Sequence, residues 1–188
     1  LMPDVATAVA EHPDGPGNQV LRLGLDNTDQ RVRADKSVTP TFLFAVLLWP
    51  AILRAAGAPR GPLPSDPQLL LTAIDEVLGR QLRRITLPKR FGLPMRDLIM
   101  LQPRFERRSG RRALRLLEHP KFRAAYDLLL LRAAAGEVDP EIAEWWTRLQ
   151  ELPEQERIAE VEGRPAEPGE APRRKRRPRR RRKRPAAP

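Results

Sequence analysis

The chain has no cysteine and only two histidines, His12 and His119, among 188 residues. The first absence excludes a disulfide scaffold, a thiolate zinc site and a cysteine nucleophile; the second leaves too few imidazoles for a multi-histidine metal centre. Long apolar runs are missing as well. The longest, Phe42 to Leu53, falls short of the ~18 residues that a membrane span requires, and Pro50 interrupts it. No cationic leader followed by an apolar segment is present, so the expected compartment is the cytoplasm. Leu1, directly before Met2, looks like the cut edge of a longer protein. Phosphate loops of the G-x-x-x-x-G-K-[ST] type, G-x-G-x-x-G fingerprints, G-x-S-x-G elbows and H-E-x-x-H pairs do not occur.

What is present is helical pattern. Over the first 150 residues no alternating apolar/polar run is long enough for a strand, which predicts an all-α fold with a compact helical body over 1–150. Helix starts are marked by an acceptor side chain followed by proline at Thr39-Pro40, Asp66-Pro67 and Asp139-Pro140. Gly57 and Gly136 mark stops, because a helix commonly ends on a left-handed residue that glycine tolerates best. Leu71, Ile74, Leu78, Leu82 and Ile85 recur at helical spacing, as do Phe122, Ala125, Tyr126, Leu129 and Ala133. The apolar Phe42–Leu53 segment is the expected central helix, and Trp49, Trp145 and Trp146 are expected in the core. Asp26, Asp29 and Asp35 fall in a polar helix over 18–36, where a charged face fits better than a metal site.

Charge divides the chain further. Its 35 Lys+Arg and 24 Asp+Glu give a net +11, and eleven of the basic residues lie between Arg173 and Arg184. Glu151 to Pro172 carries seven acids and four prolines, a composition expected of an acidic linker over 151–172, followed by a disordered Arg-rich tail over 173–188. Within the body, 80–123 holds fourteen basic and three acidic groups, a second net +11 that acidic neighbours conceal in the total. If Ser109 caps a helix to about His119, Arg111, Arg112 and Arg115 share one face. A helix over 94–108 would likewise align Arg104, Arg107 and Arg108, so two helices would line one cationic surface. Planar guanidinium forks bind two phosphate oxygens at once, which points to a polyanion such as nucleic acid. For individual residues the plainer reading is an exposed pair, as between Arg80 and Glu76 or Arg123 and Asp127. The tail adds sequence-independent attraction, with a log–log salt slope of at most about −8 if all eleven cations meet a single strand. Anionic lipid and acidic proteins are the competing partners, but no amphipathic helix adjoins the tail to anchor it in a membrane interface.

Several strings resemble a known family. Phe42-Leu-Phe-Ala-Val-Leu-Leu-Trp-Pro50, Ile85-Thr-Leu-Pro-Lys-Arg90, the stretch from Gly110 to Leu129, and Glu144-Trp-Trp-Thr-Arg-Leu-Gln150 resemble, in order, the C-terminal part of the bacterial poly(A) polymerase I family. These are class II nucleotidyltransferases, and the 110–129 string separates the chain from the CCA-adding relatives. The resemblance implies a region of an ATP:RNA adenylyltransferase that extends RNA 3′ ends, with ATP and Mg2+ used by the whole enzyme and no cofactor bound by this chain. The family's Gly-Ser motif and Asp-x-Asp pair are absent here, so the resemblance transfers no catalytic residue and this segment alone is expected to be inactive. It implies RNA grip instead, with RNA-decay machinery as a further expected partner. A stand-alone RNA-binding module and an interaction hub are the alternatives. The candidate RNA contacts are Lys89, Arg90, Arg104, Arg107, Arg108, Arg111, Arg112, Arg115 and Lys121 on the body. On the tail they are Arg173, Arg174, Lys175, Arg176, Arg177, Arg179, Arg180, Arg181, Arg182, Lys183 and Arg184.

Overall fold

The computed structural model describes residues 2–84 and 88–164, with Lys89 by its backbone only. The basic tail and the start of the Ile85–Arg90 string therefore lie outside the described residues. Those described form ten helices and no strand, so the all-α reading holds. In chain order they are α1 (Pro3–Glu11), α2 (Pro16–Arg33), α3 (Pro40–Ala55), α4 (Pro67–Leu82), α5 (Lys89–Met100), α6 (Gln102–Phe105), α7 (Gly110–Leu117), α8 (Phe122–Ala134), α9 (Pro140–Glu151) and α10 (Glu154–Glu162). No helix among the described residues is long and apolar enough to cross a membrane.

The marked helix ends behave as their chemistry dictates. Asp66 accepts from the Gln68 amide and Asp139 from the Glu141 amide, each at 2.9 Å, while Thr39 holds the third cap position without a side-chain cap bond. Gly57 and Gly136 adopt φ of 70° and 69°. Each closes its helix with the same pair of bonds: Ala58 and Gly57 donate to the Leu53 and Arg54 carbonyls, Glu137 and Gly136 to those of Arg132 and Ala133.

Helix α3 occupies the centre, packed by α1, α2, α4, α5 and α8, with Trp49 and seven neighbours buried. Helix α2 reaches it through glycine. A methyl group on Gly24 would collide with Val46, and one on Gly17 would fall on Leu53. The expected polar helix thus has a buried face of Gly17, Asn18, Val20 and Gly24, too small in side chain to read as an apolar stripe. On α4 the buried stripe is Leu70, Ala73, Ile74 and Val77, one position off the expected Leu71–Leu82 face, and Leu82 is exposed. Both stripes are apolar at helical spacing, and α3 takes the one that includes the small Ala73.

Two expectations are corrected. The helix expected over 94–108 breaks at Leu101 into α5 and α6, because Pro103 has no amide to donate to the Ile99 carbonyl and its ring crowds that turn. The acidic linker expected from 151 contains α10, whose Val161 is fully buried and which packs on α7 and α9. One buried valine, a bond from Trp145 Nε1 to Glu160 Oε1 at 2.8 Å and one from Arg157 Nη2 to the Gln150 carbonyl at 2.7 Å help dock a helix whose composition is otherwise that of an exposed segment.

Beside Trp49 lies an ion pair with no exposed side-chain surface: Arg132 Nε donates to Glu137 Oε1 at 2.8 Å. The remaining carboxylate oxygen accepts from Trp49 Nε1 at 2.7 Å. Arg132 Nη1 donates to Gln102 Oε1 at 3.1 Å, and Gln102 Nε2 to the Ala125 carbonyl at 2.9 Å. The guanidinium also lies 5.2 Å from the Trp49 ring centre. This network joins α3, α6, α8 and the turn after α8.

Glu137→Ala is expected to destabilise the fold by about 3–5 kcal/mol, since it leaves Arg132 buried without its counter-charge; a urea titration checks this. Gly24→Ala should lower stability by about 1–3 kcal/mol through overpacking against Val46, seen as a lower urea midpoint.

Candidate nucleic-acid interface

An aromatic cluster supports the basic region from within. Phe105 meets Phe122 at 5.7 Å and Trp146 at 5.2 Å between ring centres, and Trp145 packs edge-on to Trp146 at 4.9 Å. Trp146 Nε1 donates to the Phe105 carbonyl at 2.8 Å, which satisfies the end of the short α6 and ties it to α9. The expectation that the tryptophans belong to the core is met. Helix α7 lies on this base with Ala113 and Leu116 buried, α10 against it, and Arg111, Arg112 and Arg115 exposed.

Between the start of α4, the end of α5, α6 and α7 lies a groove of about 420 Å³, lined by Pro67, Met100, Pro103, Arg104, Arg107, Arg112 and Arg115. The break before α6 brings this about. It turns Arg104 and Arg107 toward α7, so residues expected on one continuous helix instead form a wall facing Arg112 and Arg115. No ion pair among the described residues engages Arg104, Arg107 or Arg115. Burial, and then the neighbouring Arg107 charge, lower the proton affinity of Arg104 below the ordinary arginine value. Such a guanidinium remains charged at neutral pH, and an anion in the groove would offset both penalties.

Other basic residues of 80–123 are engaged elsewhere. Arg80 pairs with Asp4 and Glu76, Arg96 with Asp75 at 3.4 Å, and Arg123 with Asp127 at 3.2 Å. Arg108, expected beside Arg104 and Arg107, turns to Glu141 of α9 at 3.1 Å. Arg111 is exposed on α7 outside the groove lining. Arg90 lies 4.8 Å over the Phe91 ring, Lys89 opens α5, and Lys121 is half-buried, its amide donating to His119 Nδ1 at 3.1 Å. Sequence reasoning brought the four groove arginines together and missed the floor of Met100, Pro103 and Pro67. The two prolines carry the readable signal, since each fixes where a helix starts.

Nothing described here suits a catalytic metal. Asp26, Asp29 and Asp35 are exposed along and just after α2, and no three His, Asp or Glu side chains gather among the described residues. The Mg2+ implied by the resemblance therefore has no fitting donor set in this part of the chain, and no chemical step is assigned to it.

Residues 65–184 match the sequence model of the family described as Polymerase A arginine-rich C-terminus. Over 155 residues the chain is 40% identical to poly(A) polymerase I of Escherichia coli O157:H7 and 39% identical to that of Salmonella typhi, covering 80% of this chain and 33% of each relative. Poly(A) polymerase I of Haemophilus influenzae is 32% identical over 153 residues, 34% of its length. The chain thus spans about a third of the length of the curated relatives it matches.

Val161→Ala should lower stability by about 1.5–2.5 kcal/mol, combining the removal of two methyl groups with the void they leave. A change under about 0.5 kcal/mol, the usual range for a surface substitution, would mean that α10 does not dock on α7.

Proposed function

The chain belongs to the polymerase A arginine-rich C-terminus family, and from that premise we propose that it is the RNA-holding region of a polynucleotide adenylyltransferase. It grips the phosphate backbone of an RNA 3′ segment while residues elsewhere in the enzyme transfer AMP from ATP. The observation that carries this reading is the groove, where three arginines without ion-pair partners face one cavity inside the family-matched stretch. Arg96 and Arg108, outside the groove lining, are instead taken up by Asp75 and Glu141. Arg111, Arg90, Lys89 and Lys121 add to this grip from outside the groove lining, and the tail adds up to eleven further cations. The work of such a protein is cytoplasmic, in RNA processing and decay, and RNA-decay machinery is a natural partner. ATP and Mg2+ belong to the transfer step and to the rest of the enzyme.

Binding of the 188-residue chain to oligo(A) and to a mixed-sequence strand, followed by fluorescence anisotropy across a salt series, tests the proposal. Replacing Arg107 and Arg112 together by Glu should weaken binding to both strands alike. It should also flatten the log–log salt slope by about 0.7 for each phosphate that is no longer neutralised. Unchanged affinity and slope would defeat the assignment.

A further inference from the structure

We infer that the arginine groove is a nucleotide-sized subsite: it receives one unstacked nucleotide of a single-stranded RNA, with the phosphate among the guanidinium groups and the base on the Met100–Pro103 floor. The inference rests on the RNA reading above and adds what the groove takes.

Size comes first. A volume of about 420 Å³ lies within the roughly 300–1,000 Å³ of small-ligand clefts. A surface that only follows a backbone needs no recess, because the phosphates of a duplex stand outside its bases.

Lining comes second. Phosphate alone would be served by arginines on any polar surface, yet here they surround Met100, Pro103 and Pro67. An apolar floor under charged walls suits a ligand with one flat, weakly polar part and one anionic part. A nucleotide has both. Bases stack on guanidinium planes, and methionine sulfur makes favourable contacts with aromatic rings.

Sign comes third. The groove lining holds no carboxylate, whereas two other clefts carry them: Glu11 and Asp14 near His12, and Asp75 between α4 and α5. In those clefts Arg60 and Arg96 only offset the carboxylates, whereas the lining of this groove carries four cations and no acid. Arg104, disfavoured as a cation by partial burial and by the neighbouring Arg107 charge, has no ion pair among the described residues, so an anion would complete the site.

A free nucleotide shares this chemistry with a nucleotide of a strand, and the experiment separates them. AMP, adenosine and inorganic phosphate are titrated into the ¹⁵N-labelled chain, with oligo(A) as competitor. AMP should bind about tenfold or more tighter than phosphate, the worth of one stacked base. Its amide shifts should centre on residues 100–115, and oligo(A) should displace it. Arg115→Gln, an exposed change, should weaken AMP and phosphate together. Met100→Ala should erase the preference for AMP over phosphate and leave phosphate binding in place. Equal affinity for AMP and phosphate, or shifts centred elsewhere, would overturn the subsite. AMP that oligo(A) fails to displace would assign the groove to free nucleotides and overturn it as well. If wild-type chain binds oligo(A) but shows no AMP site, only this inference falls; if it binds no oligo(A), the RNA reading falls with it.

Discussion

A guanidinium and a carboxylate shut away from water depend on partners inside the protein, and the packing around α3 supplies all but one, leaving Arg132 Nη2 without a hydrogen bond. Arg132 and Glu137 answer each other, Trp49 takes the second carboxylate oxygen, and Gln102 takes a second guanidinium nitrogen. Desolvating such a pair costs several kcal/mol per ion, so it is poor as a source of stability and effective as a constraint. Its bonds tie α3, α6 and α8 to one another in a defined relative placement. The left-handed turn at Gly136 makes the pair possible, because it folds the chain back and brings Glu137 against the last full turn of α8. In most helix closures of this type the two positions are joined by an apolar contact. Here an ion pair takes that place.

Gln102 carries the constraint outward. It is fully buried, bonded to both Arg132 and the Ala125 carbonyl, and it opens α6. The next residues are Pro103, Arg104 and Phe105, which supply groove floor, groove wall and aromatic anchor in turn. The placement of the arginines thus follows from the core in a few covalent steps. The acidic α10 packs against the basic α7. Its carboxylates balance charge without entering the groove lining.

Much of this was legible because the signals are local. Asp66-Pro67, Asp139-Pro140, Gly57 and Gly136 announce helix ends through chemistry contained in a few residues, and the tryptophans announce the core through their size. What escaped is decided across distance or by absence. The pairing of Arg108 with Glu141 spans 33 residues, and that of Arg132 with Glu137 crosses a turn, so neither follows from spacing along one helix. The buried face of α2 is Gly17, Asn18, Val20 and Gly24, in which a single valine leaves no apolar stripe to read. Helix α10 looked like linker because one buried valine and one tryptophan bond cannot outweigh seven acids in a compositional reading. The groove was half legible: the cluster of arginines was plain, while their separation into paired and unpaired depended on carboxylates brought in by other helices.

Docking α10 also settles where the following chain departs. Arg164, the last described residue, lies over the Trp145 ring of α9, 5.0 Å from its centre. Arg173 is nine residues further on, and a fully extended chain advances at most about 3.5 Å per residue, or roughly 30 Å in all. That contour length is an upper bound, in any conformation, on the separation of Arg173 from Arg164. A short leash raises the effective concentration of one binding element at a ligand already held by another, without the two elements touching. On the proposed reading, groove and basic segment would hold one RNA together, released only when both let go.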